Sequence, residues 1–227
     1  LICTIDIGNT KKNFAIWENE KIIDHGVWET EPNKKMLSCS NWVISNVTGK
    51  EITYPSDVEL MHVSSKAKLP FKLNYKTPNT LGSDRLASVS GAIMSGFDSA
   101  IIIDCGTCIK IEVLAKKVYL GGSISPGVFM RFKALETFTG KLPLIEPAEF
   151  KSNFGTSTQD SILCGVIQGA SAELEERINR IKEEIEPCPV LITGGDANLL
   201  QNHIKEEIFA HPNLLHSGLF KLYSINV

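Results

Sequence analysis

The feature that most constrains the fold is an internal repeat. An apolar run ending in Asp-x-Gly, followed by a hairpin pattern, occurs twice in the 227-residue chain, ninety-eight positions apart. In the first copy, Leu1 to Ile5 lead into Asp6-Ile7-Gly8-Asn9-Thr10, and strand-like Phe14 to Trp17 follow. A polar turn at Glu18-Asn19-Glu20 then precedes a second strand at Lys21 to His25. In the second copy, Ile101 to Ile103 lead into Asp104-Cys105-Gly106-Thr107. Ile109 to Ala115, a Lys116-Lys117 turn and Val118 to Leu120 complete its hairpin. Short apolar runs bounded by polar turns read as strands.

The chemistry of the repeat is specific. Each unit places a carboxylate where a buried strand enters a tight turn, and the Gly two residues later lets the backbone approach a ligand closely. Backbone N–H groups and hydroxyls of such a turn can face phosphate oxygens while the carboxylate holds a cation. One copy is explained as well by Asp and Gly ending a strand. Two copies in matching hairpins favour a nucleotide gripped by a pair of domains, 1–98 and 99–227. The chain has no Walker lysine loop, no Gly-x-Gly-x-x-Gly fingerprint and no Gly-x-Ser-x-Gly elbow. Nucleotide use therefore falls to these carboxylate loops.

Charge and composition exclude other classes. Residues 1–98 carry 11 basic and 11 acidic side chains, and the remainder carries 12 and 15. Neither part has the positive surplus that a phosphate backbone requires, so no nucleic-acid partner is expected. No apolar run approaches the roughly 20 residues that span a bilayer, and no signal-peptide pattern opens the sequence, so no membrane partner is expected. Six cysteines in a chain of this length do not make a disulfide scaffold, and a reducing, cytoplasmic location is the expectation. Cys105-x-x-Cys108 lacks the further close ligands of a structural zinc site. Strand-like residues follow it, where a thioredoxin-type motif opens a helix.

Between the repeats the pattern suggests an amphipathic helix over about 33–47, strands at 58–64 and 72–77, and a helix from Gly82-Ser83 through about Met94. Asp84 in its first turn suits the helix dipole, whereas Arg85 opposes it, which points to an anionic partner or a salt bridge. After the second hairpin, Gly121 to Gly127 enter a helix with Pro126 in its first turn. A long amphipathic helix follows Thr158. Pro189 to Ala197 read as strand, paired glycines Gly194-Gly195, and helix, a turn able to lie flat against an adenine or ribose.

These residues resemble the type III pantothenate kinases of the actin, sugar-kinase and heat-shock-chaperone ATPase superfamily. The resemblance rests on Asp6-Ile7-Gly8-Asn9-Thr10, Tyr75 with Gly82-Ser83-Asp84-Arg85, Asp104-Cys105-Gly106-Thr107, Gly121-Gly122 with Pro126-Gly127, Gly155 with Thr158, and Thr193 to Asp196. It implies an α/β fold of two duplicated ribonuclease-H-like (actin-like ATPase) domains, each a mixed sheet flanked by helices, with the active cleft between them. It also implies ATP-dependent phosphorylation of pantothenate, the first step of coenzyme A synthesis. Carried over to this chain, Asp6, Ile7, Gly8, Asn9, Thr10, Lys11, Lys12 and Asn13, with Thr107, would bind ATP, and Asp6 would hold Mg2+. Asp84 would be the general base. Tyr75, Gly82, Ser83, Arg85 and Thr158 would complete the pantothenate site, with Arg85 on the carboxylate. Asp104 would hold a monovalent cation, K+ or NH4+. The family resemblance further implies a homodimer.

The second loop departs from the family pattern Asp-x-Gly-Thr-Ala-x-Thr-x-Asp, because Cys108, Lys110 and Glu112 stand at its Ala, Thr and final Asp. Strand alternation puts Lys110 and Glu112 on one face, so they could pair with each other. Lys110 could instead occupy the cation position at Asp104. The departures also admit a catalytically weakened, nucleotide-binding regulatory relative, and a kinase of another small hydroxy acid is a further alternative.

Overall fold

The computed structural model describes residues 1–227. By contact the chain divides into two compact units, the first comprising Leu1–Asp98, Lys116–Gly121 and Asn213–Val227, the second Ser99–Ala115 and Gly122–Pro212.

The first unit is built on five strands, β1 (Ile2–Ile7), β2 (Lys12–Glu18), β3 (Lys21–Val27), β4 (Asn41–Asn46) and β5 (Glu59–His62), in the order β3-β2-β1-β4-β5. β1 to β3 are antiparallel neighbours, while β4 runs parallel to β1 and β5 parallel to β4. Alternation along β1 sends Cys3, Ile5 and Ile7 into a core with Trp28, Met36, Trp42 and Ile44. Two long helices pack in this unit: α2 (Ser83–Met94) and the C-terminal α6 (Leu214–Asn226). They pack closely because glycines stand where they meet. A Cβ on Gly218 would lie 1.6 Å from Ala87 O, and one on Gly91 would lie 2.1 Å from Leu214 O. Thr4, on the other face of β1, lies 3.0 Å from His216 Nδ1 of α6 and accepts the Trp17 indole N–H at 2.9 Å.

The helix expected over 33–47 is replaced by a single turn, α1 (Lys34–Leu37), followed by β4. The Asn33 side chain caps α1 by accepting the Met36 N–H at 2.9 Å. Trp42 to Ser45 are buried on both faces between β1 and β5. A central parallel strand reads as a continuous apolar run and has no alternation to distinguish it from helix. The strand expected at 72–77 shortens to β6 (Lys72–Leu73), which pairs in parallel with Val118 and Tyr119. A 3-10 turn at Pro78–Thr80 follows.

The second unit repeats the plan. β7 (Ala100–Cys105) lies between an antiparallel hairpin partner, β8 (Cys108–Ala115), and a parallel strand, β10 (Val190–Thr193), just as β1 lies between β2 and β4. β11 (Ile208–Ala210) extends the sheet beyond β10, and β9 (Val118–Pro126), of which Gly122 to Pro126 belong to this unit, follows β8 in the chain. The hairpin turns match too. Asn19 and Glu20 after β2 have φ of 48° and 63°, and Lys116 and Lys117 after β8 have 49° and 57°. Two successive left-handed residues are the type I′ turn that suits strand twist.

Helix α3 (Val128–Phe138) begins later than expected, with Pro126 left outside it. Pro126 ends β9, and Gly127 in extended conformation caps the helix. α4 (Thr158–Glu184) buries Ile162, Val166, Ala170, Leu174 and Ile178 along one stripe, and Ser157 caps it by accepting the Asp160 N–H at 3.1 Å. α5 (Ala197–Gln201) follows β10.

Candidate active site

Each Asp-ended strand leads into a backbone-rich turn. After β1, Gly8 N–H donates to Lys11 O at 3.0 Å, and a Cβ on Gly8 would press to 3.3 Å from that oxygen. The turn leaves Asn9, Thr10 and Lys11 exposed, with Asp6 and Asn13 paired across the hairpin. Ile7 is different. Its side chain is in the core and its carbonyl accepts the Val47 N–H, so only its peptide faces the turn. Lys12 has its ammonium 4.4 Å above the Trp28 ring.

The donor set around Asp6 fits ATP with magnesium. Mg2+ takes few protein ligands and keeps waters and phosphate oxygens, so one carboxylate beside hydroxyl and backbone groups suffices. No cluster of three or more His, Cys, Asp or Glu side chains is arranged to hold a metal by itself.

After β7 the turn is walled by glycines. Gly127 N–H donates to Thr107 O at 3.1 Å, and its Cβ would collide with Gly106 O at 2.2 Å. On the β10 side, Asp196 N–H donates to Cys105 O at 3.0 Å, and Gly194, at φ +96°, would clash with the Cys105 backbone if it carried a Cβ. Only glycine allows this approach, which accounts for Gly127 and Gly194 in the motif. Burial, with the charges of Asp104 and Asp196 beside it, pushes the Cys105 thiol far up, so it stays protonated and unreactive.

Asp104 itself is engaged by Lys110. The two residues stand directly opposite in the β7–β8 register, and Lys110 Nζ lies 2.7 Å from Asp104 Oδ2, with the side chains 16% and 13% exposed. An ammonium on this carboxylate does not fit a second monovalent cation there, so the expected K+ or NH4+ ligand is already held by a cation of the chain. Glu112, on the same face of β8, is buried, and its Oε2 reaches to 3.0 Å from where a Cβ on Gly122 would stand.

Of the residues expected at the acceptor site, Gly82, Ser83, Asp84 and Arg85 stand together at the start of α2. Ser83, Asp84 and Arg85 are all buried in its first turn, at 8%, 8% and 6% exposure. Asp84 Oδ1 accepts the Arg85 N–H at 2.8 Å, and a Cβ on Gly82 would lie 2.5 Å from the same oxygen. Arg85 Nη1 donates to the Tyr75 hydroxyl at 3.4 Å, with the guanidinium 5.7 Å from the Tyr75 ring centroid. Ser83 Oγ is 3.0 Å from Ser45 Oγ on β4, which ties the helix start to the sheet. A cavity of about 610 Å3 opens beside this turn, lined by Gly82 and Ser83 together with Asn46, Ser64, Lys66 and Asn79. These last four were not anticipated, and Lys66 adds a cation to the lining. Thr158 is exposed at the first position of α4, in the second unit.

The family profile described as Type III pantothenate kinase matches residues 48–180. The chain is 37% identical to the type III pantothenate kinase of Christiangramia forsetii, covering 98% of this chain and 97% of that protein. It is 30% identical to that of Flavobacterium johnsoniae, covering 100% and 99%. Among solved structures it is similar to a protein described as a Baf family transcriptional activator from Campylobacter jejuni, with a TM-score of 0.68 at 20% identity over 99% and 98% of the two chains. It is also similar to the activator of 2-hydroxyisocaproyl-CoA dehydratase from Clostridium difficile, with a TM-score of 0.55 at 14% identity over 98% and 93%. The structural likenesses establish the α/β fold of the actin-like ATPases and sugar kinases, with mixed sheets flanked by helices. The sequence likenesses, which run the length of the chain, establish more: it belongs to the type III pantothenate kinase family.

Proposed function

We infer that the protein transfers the γ-phosphoryl group of ATP to the primary hydroxyl of pantothenate, giving 4′-phosphopantothenate for coenzyme A synthesis. The observation that carries the acceptor side is the buried first turn of α2, where Asp84, Arg85 and Tyr75 are brought together. Arg85 is a fixed cation for a carboxylate, because its guanidinium is steadied by the Tyr75 hydroxyl and ring. Asp84 is adjacent in sequence, so holding the acid end of pantothenate at Arg85 brings its far hydroxyl to a chosen register against the base.

Phosphoryl transfer passes through a loose transition state, and positioning with charge neutralisation supplies most of the acceleration. On this reading Asp84 takes the hydroxyl proton as the new O–P bond forms, and ADP leaves with the old one. Peptide N–H groups at Asn9 to Lys11 and in the Thr107 turn bind phosphate oxygens, with Lys11 adding charge. Magnesium, when bound with ATP, neutralises the charge that builds on the leaving oxygens. Gly82, Ser83 and Thr158 complete the acceptor pocket. The domain boundary is assigned near residue 98, with 116–121 and 213–227 returning to the first unit, and the active form as a cytoplasmic homodimer, in keeping with the family resemblance.

The experiment is a coupled ADP-release assay with pantothenate and with panthenol, which has an alcohol in place of the carboxylate. A hydrogen bond to a charged group is worth about 1.5–3 kcal/mol. The wild type should therefore show a KM about 10- to 150-fold higher for panthenol, and Arg85→Met should bring the two acceptors to equal KM. Equal preference for pantothenate in wild type and variant would refute the role of Arg85. ADP release with neither acceptor would refute the activity.

A further inference from the structure

The Lys110–Asp104 pair changes what this enzyme needs from solution. Asp104 is the last residue but one of β7, just before the turn that bears Thr107, and its carboxylate is mostly withdrawn from water. A carboxylate in that state requires a cation partner. Lys110 supplies one from directly across the hairpin at 2.7 Å, a charge-assisted bond whose geometry is set by strand register rather than by a long flexible reach. Ammonium and potassium are close in size and charge, so a lysine Nζ is a chemically apt substitute for either ion. A free cation arriving at Asp104 would meet a positive charge already in bonding contact with its ligand.

We propose that Lys110 Nζ is a built-in replacement for the monovalent cation at Asp104, so that nucleotide binding and turnover need no added K+ or NH4+. Lys110 acts here as a positioning residue. It holds the Asp104 end of β7, and so the turn that follows, in the arrangement a diffusible ion would otherwise impose. The inference rests on the kinase reading for its effect on turnover, but its effect on cation binding stands independently.

The test uses the full chain at constant ionic strength in potassium chloride, ammonium chloride or choline chloride. Three quantities are read: the thermal midpoint, the affinity for a nonhydrolysable ATP analogue with magnesium, and turnover with pantothenate. For wild type, all three should be the same in the three salts, within about twofold for affinity and turnover. Lys110→Thr and Lys110→Met remove the tethered charge. Each should lose tenfold or more in analogue affinity in choline, and saturable potassium or ammonium should restore it together with the thermal midpoint. A purely structural lysine would not be rescued by an ion.

A wild type that requires potassium for analogue binding overturns the proposal whether or not the variants fold. Folded variants indifferent to potassium overturn it as well. Should wild type phosphorylate no pantothenate in any salt, the kinase reading fails, while the analogue affinities and midpoints still decide the role of Lys110.

Discussion

The same substitution, glycine to alanine, should have opposite signs at two places in this chain. At Gly218 on α6, a Cβ would stand 1.6 Å from Ala87 O and 2.8 Å from Gly91 N of α2. Real Cβ contacts essentially never fall below 3.0 Å, and the atoms met here are backbone, so the helices would have to shift apart. A gap of only 0.5–1 Å forfeits a quarter to a half of each dispersion contact it opens. Overpacking of a core costs about 1–3 kcal/mol, and a backbone-to-backbone collision belongs at the upper end or beyond it. Gly165 and Gly169, by contrast, lie on α4 with nothing within 4 Å of where a Cβ would stand. Alanine there removes unfolded-state freedom and should stabilise by about 0.5–1 kcal/mol each.

All three tryptophans, Trp17, Trp28 and Trp42, belong to the first unit, so their fluorescence in urea reports the unit that contains Gly218. Calorimetry reports α4 as well. Gly218→Ala should lower the fluorescence-detected stability by about 3 kcal/mol and, because α2 opens with Ser83, Asp84 and Arg85, reduce turnover too. A Gly218→Ala protein with stability indistinguishable from wild type, or destabilisation by Gly165→Ala of the same size as at Gly218, would refute the reasoning.

Acid should loosen the first unit through His216. Burial, with the charge of His25 nearby, lowers its pKa from the usual 6.5 to about 4. The unfolded chain therefore binds a proton that the folded chain refuses. The contribution is complete above pH 6.5 and is lost as pH falls toward 4, by about 3 kcal/mol in all and roughly half of that at pH 5.5. Urea midpoints at about pH 7.5 and about pH 5.5 should differ more in wild type than in His216→Leu; equal differences would contradict it. At the β2–β3 turn, Glu20 occupies a left-handed conformation at φ 63°, so Glu20→Gly should raise stability by about 1 kcal/mol in the same urea assay.

What the sequence disclosed was the part governed by local chemistry. The two Asp-ended strands with their hairpins, the start of α2 at Gly82-Ser83, and the strand before Gly194 all follow from short-range signals, and the structure has them in place. β4 does not read as a strand because one buried on both faces loses its period, leaving Met36, Cys39 and Trp42 to mimic a helical stripe. The partner of Lys110 was open between Glu112 and Asp104. The β7–β8 register sets Asp104 opposite Lys110, and register depends on the turn and the whole ladder. Ser64 and Lys66 reach the cavity from a loop after β5, far in sequence from Gly82, and carried no motif of their own. The Thr4–Trp17–His216 network was equally unreadable, since it joins residues 212 positions apart.

The central claim is that Asp84 accepts the proton of the pantothenate hydroxyl, and single-turnover transfer from γ-labelled ATP tests it most directly. With enzyme in excess and both substrates saturating, Asp84→Asn should transfer label about 10²- to 10⁴-fold more slowly than wild type, the range a general base supplies. Its affinity for the nonhydrolysable ATP analogue should be unchanged. Transfer by Asp84→Asn within a few-fold of the wild-type rate would contradict the account.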